Sequence, residues 1–204
     1  MRDLRIAFAG SSGAGKTTMV NYLKEKYHLP WINGSSGSIK HEQDVFQLKL
    51  MGLDQGNGHA AVIRSGHQNP IAAGENQKAI LNARIAAMRS AGPNFVTDRS
   101  PIDSIVYMLM QCSMYESEEW CGEFIKEAKQ ALAMLTHIIW VRPLDGVEDN
   151  GSRVPNIFFQ QLVDGTFDMV IAKLMWEGIP CKVCQLTNSS IASRQLYLDS
   201  VLTS

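Results

Sequence analysis

An octet near the start of the chain, Gly10-Ser11-Ser12-Gly13-Ala14-Gly15-Lys16-Thr17, leaves few ways for this sequence to fold. It follows directly on the apolar run Leu4-Arg5-Ile6-Ala7-Phe8-Ala9. The spacing is the full Gly-x4-Gly-Lys-Thr pattern, and its context is the required one, with a buried strand before it and a helical stretch after it. Glycines at these positions let backbone N–H groups turn inward around a phosphate with no Cβ in the way. The helix beginning near Gly15 points the positive end of its dipole at the same phosphates. Lys16 is placed to neutralise β- and γ-oxygens, and the Thr17 hydroxyl to ligate Mg²⁺. Gly10 to Thr17, with Thr18 beside them, are therefore the expected contacts to ATP-Mg²⁺.

The rest of the chain alternates strand and helix signals. Trp31-Ile32 reads as a second strand, followed by a helix from Ser38 to about Leu50. A glycine-rich segment at 52–69 reads as a long loop, and a helix runs from Pro70 to about Ala91. Gly92-Pro93 breaks it, Asn94-Phe95-Val96-Thr97 is a third strand, and Pro101 opens the next helix. A helix between Ser117 and Leu135 leads to a fourth strand at 136–141 and a polar loop at 142–155. A helix over 156–177, a fifth strand at 179–186 and a last helix from about Asn188 complete the order. Such alternation predicts an α/β fold of three layers, a five-stranded parallel sheet with helices on both faces, in one domain spanning 1–204.

Composition narrows the function. Of 204 residues 45% are hydrophobic and 19% charged, which fits a globular chain and excludes a disordered one. No run approaches the ~18 apolar residues of a membrane span. The start reads as a first strand and not a signal peptide, so a cytoplasmic location is expected. Residues 1–110 hold 12 Lys/Arg against 8 Asp/Glu, and residues 111–204 hold 7 against 12. An anionic substrate suits the first part, while the near-neutral total does not demand nucleic acid. Cys181-Lys-Val-Cys184 has metal-ligand spacing but no companion pair, and reads with Cys112 and Cys121 as reduced thiols.

The second constellation is Asp98-Arg99 at the end of the third strand. Ligands collect at the carboxyl ends of parallel strands, so this pair should face the phosphate loop. A carboxylate there can hold a metal-bound water or accept the proton of an attacking hydroxyl. An arginine beside it can clamp an acceptor's phosphate or the transferring group. The alternative is an aspartate that merely caps the next helix, with Arg99 exposed.

Together, the octet, the Asp98-Arg99 strand end and a polar arginine-bearing loop resemble the thymidylate kinase and deoxynucleoside kinase group of P-loop kinases. The stretch Thr97-Asp98-Arg99-Ser100-Pro101-Ile102-Asp103 resembles small bacteriophage-encoded kinases in particular, which would put the protein in a host cytoplasm. The resemblance implies that Asp98 is a catalytic or metal-organising carboxylate and that Arg99 contacts the acceptor. It also implies a lid that carries arginines to the transferred phosphoryl group. The matching segment runs from Arg142 to Arg153, with Arg153 on the flexible stem Asn150-Gly151-Ser152. Arg142, at the strand end, is suited to stack on an adenine or to pair with acidic neighbours. The alternative for the loop is a solvated run of charge.

Acceptor contacts are expected from Ser35, Ser36, Lys40, His41, Arg64, His67, Gln77, Arg84 and Arg99. Gln77 and Arg84 lie seven apart on one helix face, where an amide and a guanidinium can read a base edge; otherwise they form an exposed polar stripe. These residues point first to a kinase of nucleosides or nucleoside monophosphates, a pyrimidine deoxynucleotide foremost. A kinase of 5-hydroxymethyluracil-type bases within DNA, reading its substrate through 52–69, is the second reading. A regulatory ATPase switch is the third. Homodimers are common in the resembled kinases and enter as an expectation of that resemblance.

Overall fold

A computed structural model describes residues 3–32, 70–143, 157–187 and 190–203. The strands are β1 (Arg5–Ala9), β2 (Trp31–Ile32), β3 (Phe95–Thr97), β4 (His137–Val141) and β5 (Lys182–Leu186). The described helices are α1 (Lys16–Tyr27), α2 (Pro70–Ser90), α3 (Pro101–Gln111), α4 (Glu118–Leu132), α5 (Ile157–Trp176) and α6 (Ile191–Thr203). All strand pairs are parallel, in the order β2-β3-β1-β4-β5. The helix expected over 38–50 and the loop at 52–69 lie outside the described residues, as does most of the 142–155 loop.

The sheet divides the core in two because successive strand residues point to opposite faces. Ala7, Ala9, Phe95, Ile138 and Trp140 pack on one side with residues of α2, α3, α4 and α5. Ile6, Phe8, Val96, Ile139 and Val141 pack on the other with α1 and α6. This is the predicted three-layer α/β arrangement, and it explains why β1 and β4 read as continuous apolar runs with no polar alternation. Helix α3 is buried almost all round, and packs against α2, α4 and α5. Among the described residues no helix is long and apolar enough to cross a membrane.

The start of the fifth strand differs from expectation. The fifth strand starts at Lys182, not Ile179. Gly178, at φ 83°, ends α5 by donating its N–H to Met175 O at 3.2 Å, and Ile179 N–H reaches back to Leu174 O at 3.0 Å. These are the paired bonds of a Schellman cap, so Ile179 closes the helix. Pro180 then has no N–H to give a ladder. Cys184 is buried on β5 and Cys181 precedes it; all four cysteines are free thiols.

Gly10 ends β1 at φ 140° where the chain passes β4, and a Cβ there would lie 2.4 Å from Val141 O. No side chain fits without moving the central strand pair. Gly10→Ala is therefore expected to destabilise the fold by about 2 kcal/mol or more, read by chemical denaturation.

Candidate active site

The phosphate loop leaves the carboxyl end of β1, and its backbone takes the shape its glycines permit. Gly10, Gly13 and Gly15 all have positive φ, at 140°, 84° and 91°. Lys16 is buried, and its ammonium donates to Gly10 O at 2.7 Å and Ser11 O at 2.6 Å. Gly15 sits at the N-cap of α1 with no side-chain cap bond, and the first turn carries no acidic residue. Among the described residues no side chain caps the N–H groups that open this helix, the arrangement that favours an anion. Thr17 and Thr18 are exposed at the helix's first turn, and Ser11 Oγ is buried with no hydrogen-bond partner among the described residues.

Register brings Asp98 to this loop. Strand β3 lies directly beside β1, with Thr97 opposite Ala7, so both chains leave the sheet side by side. Asp98 is 8% exposed, and its Oδ1 is buried without a partner among the described residues. Burial raises its pKa, and the positive charges of Arg99 and Lys16 offset this only in part. It does not cap α3. Ser100 does, accepting from the N–H groups of Ile102 and Asp103, while Asp103 accepts from Ser100 N–H at 2.9 Å. The capping alternative for Asp98 therefore gives way to a complete Ser100/Asp103 capping box.

Arg99 is partly buried, its side chain 14% exposed, contrary to the exposed alternative. It donates to Asp103 Oδ1 at 2.9 Å, and its guanidinium lies 5.9 Å from the Tyr107 ring centre. Gln77 and Arg84 also form no exposed stripe: they are 7% and 6% exposed. Gln77 Nε2 donates to Gln111 Oε1 at 2.8 Å, and Arg84 to the Ser104 hydroxyl. As numbers rise along α2 the partners' numbers fall along α3, so the two helices present these groups in antiparallel register. Burial pushes the Arg84 pKa down to about 10, with Asp103 opposing and Arg99 adding to the fall. A polar wall of Gln77, Arg84 and Arg99 thus runs along the contact between α2 and α3 toward Asp98.

On the other side, Arg142 follows β4. It stacks over Trp140 at 4.7 Å and pairs with Asp164 at 3.0 Å and Asp168 at 2.8 Å. These acidic partners are on α5. Arg153 and the candidates Ser35, Ser36, Lys40, His41, Arg64 and His67 lie outside the described residues. Among the described residues no three His, Cys, Asp or Glu side chains come together as a metal-binding group. Sequence reasoning overlooked Asp103, although Ser100-Pro-Ile-Asp103 carries the capping-box spacing that reveals it.

A family model described as AAA domain (AAA_28) matches residues 5–194. The chain belongs to this AAA domain family. No curated protein matches this AAA domain in sequence. Among solved structures it is similar to NadR in complex with NR, at TM-score 0.67 and 14% identity over 98% of this chain. It spans only about half of NadR, 51% of that chain. Deoxyadenosine kinase from M. mycoides with bound dATP gives TM-score 0.64 at 14% identity, over 98% of this chain and 100% of that one. Thymidylate kinase from Ehrlichia chaffeensis gives 0.57 at 16% identity, over the whole of both chains. At such identities the likeness concerns the fold, and the fold of this AAA domain is that of the P-loop kinases.

The raised pKa of Asp98 carries a stability consequence. A carboxyl that holds its proton more tightly when folded than unfolded favours folding at low pH, and that contribution is lost as pH rises through the folded-state pKa. At neutral pH, above the ordinary carboxylate range, the buried Asp98 therefore costs stability. Asp98→Asn is expected to raise Tm at pH 7, with the gain shrinking toward pH 4 as the wild-type carboxyl becomes neutral too. A thermal melt series across pH reads this directly.

Proposed function

We propose that this AAA domain is an ATP-Mg²⁺-dependent phosphotransferase whose acceptor is a nucleoside or nucleoside monophosphate. The observation that supports this best is the meeting of the glycine loop and Asp98 at the carboxyl ends of adjacent strands, with a carboxylate oxygen left unpartnered among the described residues and within the electrostatic reach of Lys16. A water nucleophile would not need the polar wall beyond it, whereas an acceptor with a base and a sugar would. The relatives in fold are consistent, being named for deoxyadenosine and thymidylate as substrates or solved with NR bound.

The residues present fit the nucleotide. Among the described residues Ser11 Oγ lacks a partner, the first turn of α1 lacks an acid, and Lys16 holds loop carbonyls that it can exchange for phosphate oxygens. Thr17 is the residue placed to hold Mg²⁺, with Asp98 organising the metal's water or the acceptor. Bound ATP-Mg²⁺ supplies the phosphoryl group. The chain's own share is to cradle the phosphates with backbone N–H groups and Lys16, and to take the acceptor hydroxyl's proton on Asp98. Arg99 anchors the acceptor, while Gln77 and Arg84, held by Gln111 and Ser104, read its base. Arg142 would stack on the adenine, and Arg153 would bring the lid's charge to the transferring phosphoryl group.

Incubation with γ-labelled ATP-Mg²⁺ and a panel of nucleosides and monophosphates tests this reading. Label is expected on one of these small acceptors, and Lys16→Ala is expected to fall below about 1% of wild-type transfer while remaining folded. Label confined to hydroxymethylated DNA, or slow ATP loss with no acceptor labelled, would replace the reading with a DNA-base kinase or an ATPase switch.

A further inference from the structure

One buried arginine takes no part in the account so far. Arg194 lies on α6, 180 positions from the loop it touches, and is 2% exposed. Its Nη1 donates to Ala14 O at 2.6 Å and its Nη2 to Arg142 O at 2.9 Å. One planar guanidinium thus ties the phosphate loop after β1 to the end of β4. The helix that carries it is itself fastened to α1. Asp199, further along α6, accepts from Tyr22 at 2.8 Å, Tyr27 at 2.7 Å and Lys26 at 2.6 Å, all on α1.

The consequence follows from peptide geometry. No described peptide bond is cis, so Ala14 C=O and Gly15 N–H, which share one rigid plane, point in opposite directions. Holding Ala14 O down on a guanidinium buried beneath the loop turns Gly15 N–H to the loop's open side. Without such a partner the plane is loosely held, because one of the two bonds about which it turns is the N–Cα bond of Gly15, at φ 91°, a residue with unusual freedom to rotate. The fit at Gly15 is close on the same side: a Cβ there would stand 3.2 Å from Arg194 Nη1.

We propose that Arg194 is a positioning residue for the nucleotide site, fixing the Ala14–Gly15 peptide so that Gly15 N–H is aimed at the β-phosphate. The inference rests on the phosphate loop binding an adenine nucleotide, and it adds the element that holds the loop in its binding shape. Arginine is required for the double role. A lysine ammonium is a single point charge on a flexible stem and cannot span two carbonyls as the planar fork does.

The test is equilibrium binding of ADP-Mg²⁺ and of adenosine to the full chain, in wild type, Arg194→Met and Arg194→Lys, with far-UV circular dichroism to establish folding. Losing the aim of one phosphate-directed N–H is expected to weaken ADP about tenfold in the methionine variant and less in the lysine variant. Adenosine, which has no phosphate, is expected to bind all three alike. A merely structural role would weaken both ligands together, and that result overturns the proposal. So does wild-type ADP affinity in a folded methionine variant. Should that variant not fold, the lysine variant decides in the same way, and failure of both to fold assigns Arg194 to the fold alone and overturns the proposal. A wild type that binds no ADP removes the nucleotide reading itself, an outcome distinct from a variant that binds as the wild type does.

Discussion

The parallel pairing of β1 between β3 and β4 is the constraint on which the site depends. Because β3 lies in register with β1, the two chains leave the sheet at one level, and the loop of Gly10–Thr17 emerges beside Asp98. Because β4 lies on the other side, Gly10 must pass Val141 O so closely that only glycine fits. The same neighbour brings Arg142 O within reach of the guanidinium that also holds Ala14. Three elements far apart in sequence thus meet at the carboxyl edge of the sheet, where the strand order places a crevice.

Charge is concentrated at that edge at a cost to stability. Lys16, Arg84, Arg99, Asp98 and Asp103 are all buried or nearly so. Asp103 is fully satisfied by Arg99, Ser100 N–H and the Ser100 hydroxyl, which makes the start of α3 rigid. Asp98, two residues before the cap, is left with an open oxygen and a raised pKa. A rigid neighbour beside an unsatisfied carboxylate is what a proton acceptor needs: its position is set by others, while its own lone pair stays available.

How much of this is legible in the sequence depends on how local each signal is. The apolar run Ile6–Ala9 and the glycine spacing after it carry their structure within a dozen residues, and both appear as read. Asp98-Arg99 is legible as a strand end, because Gly92-Pro93 and Pro101 bracket the strand. The burial of Gln77 and Arg84 is not, since α2 alone looks amphipathic in either sense and only Gln111 and Ser104 on α3 supply the partners. Arg194 gives no local sign at all, being an ordinary residue of a last helix until α6 folds onto α1. The start of β5 is not legible either, because Ile179 looks like a strand residue, whereas its N–H is used to close α5.

In the proposed reaction the glycine loop and Asp98 act on one phosphoryl group. Single-turnover transfer compared with equilibrium ATP-Mg²⁺ binding in Asp98→Asn tests it most directly. The account predicts ATP affinity within about twofold of wild type and a chemical step slowed at least about 100-fold, the usual share of a positioned general base. A chemical step barely altered by the substitution would contradict it, leaving Asp98 a buried carboxylate without a part in the reaction.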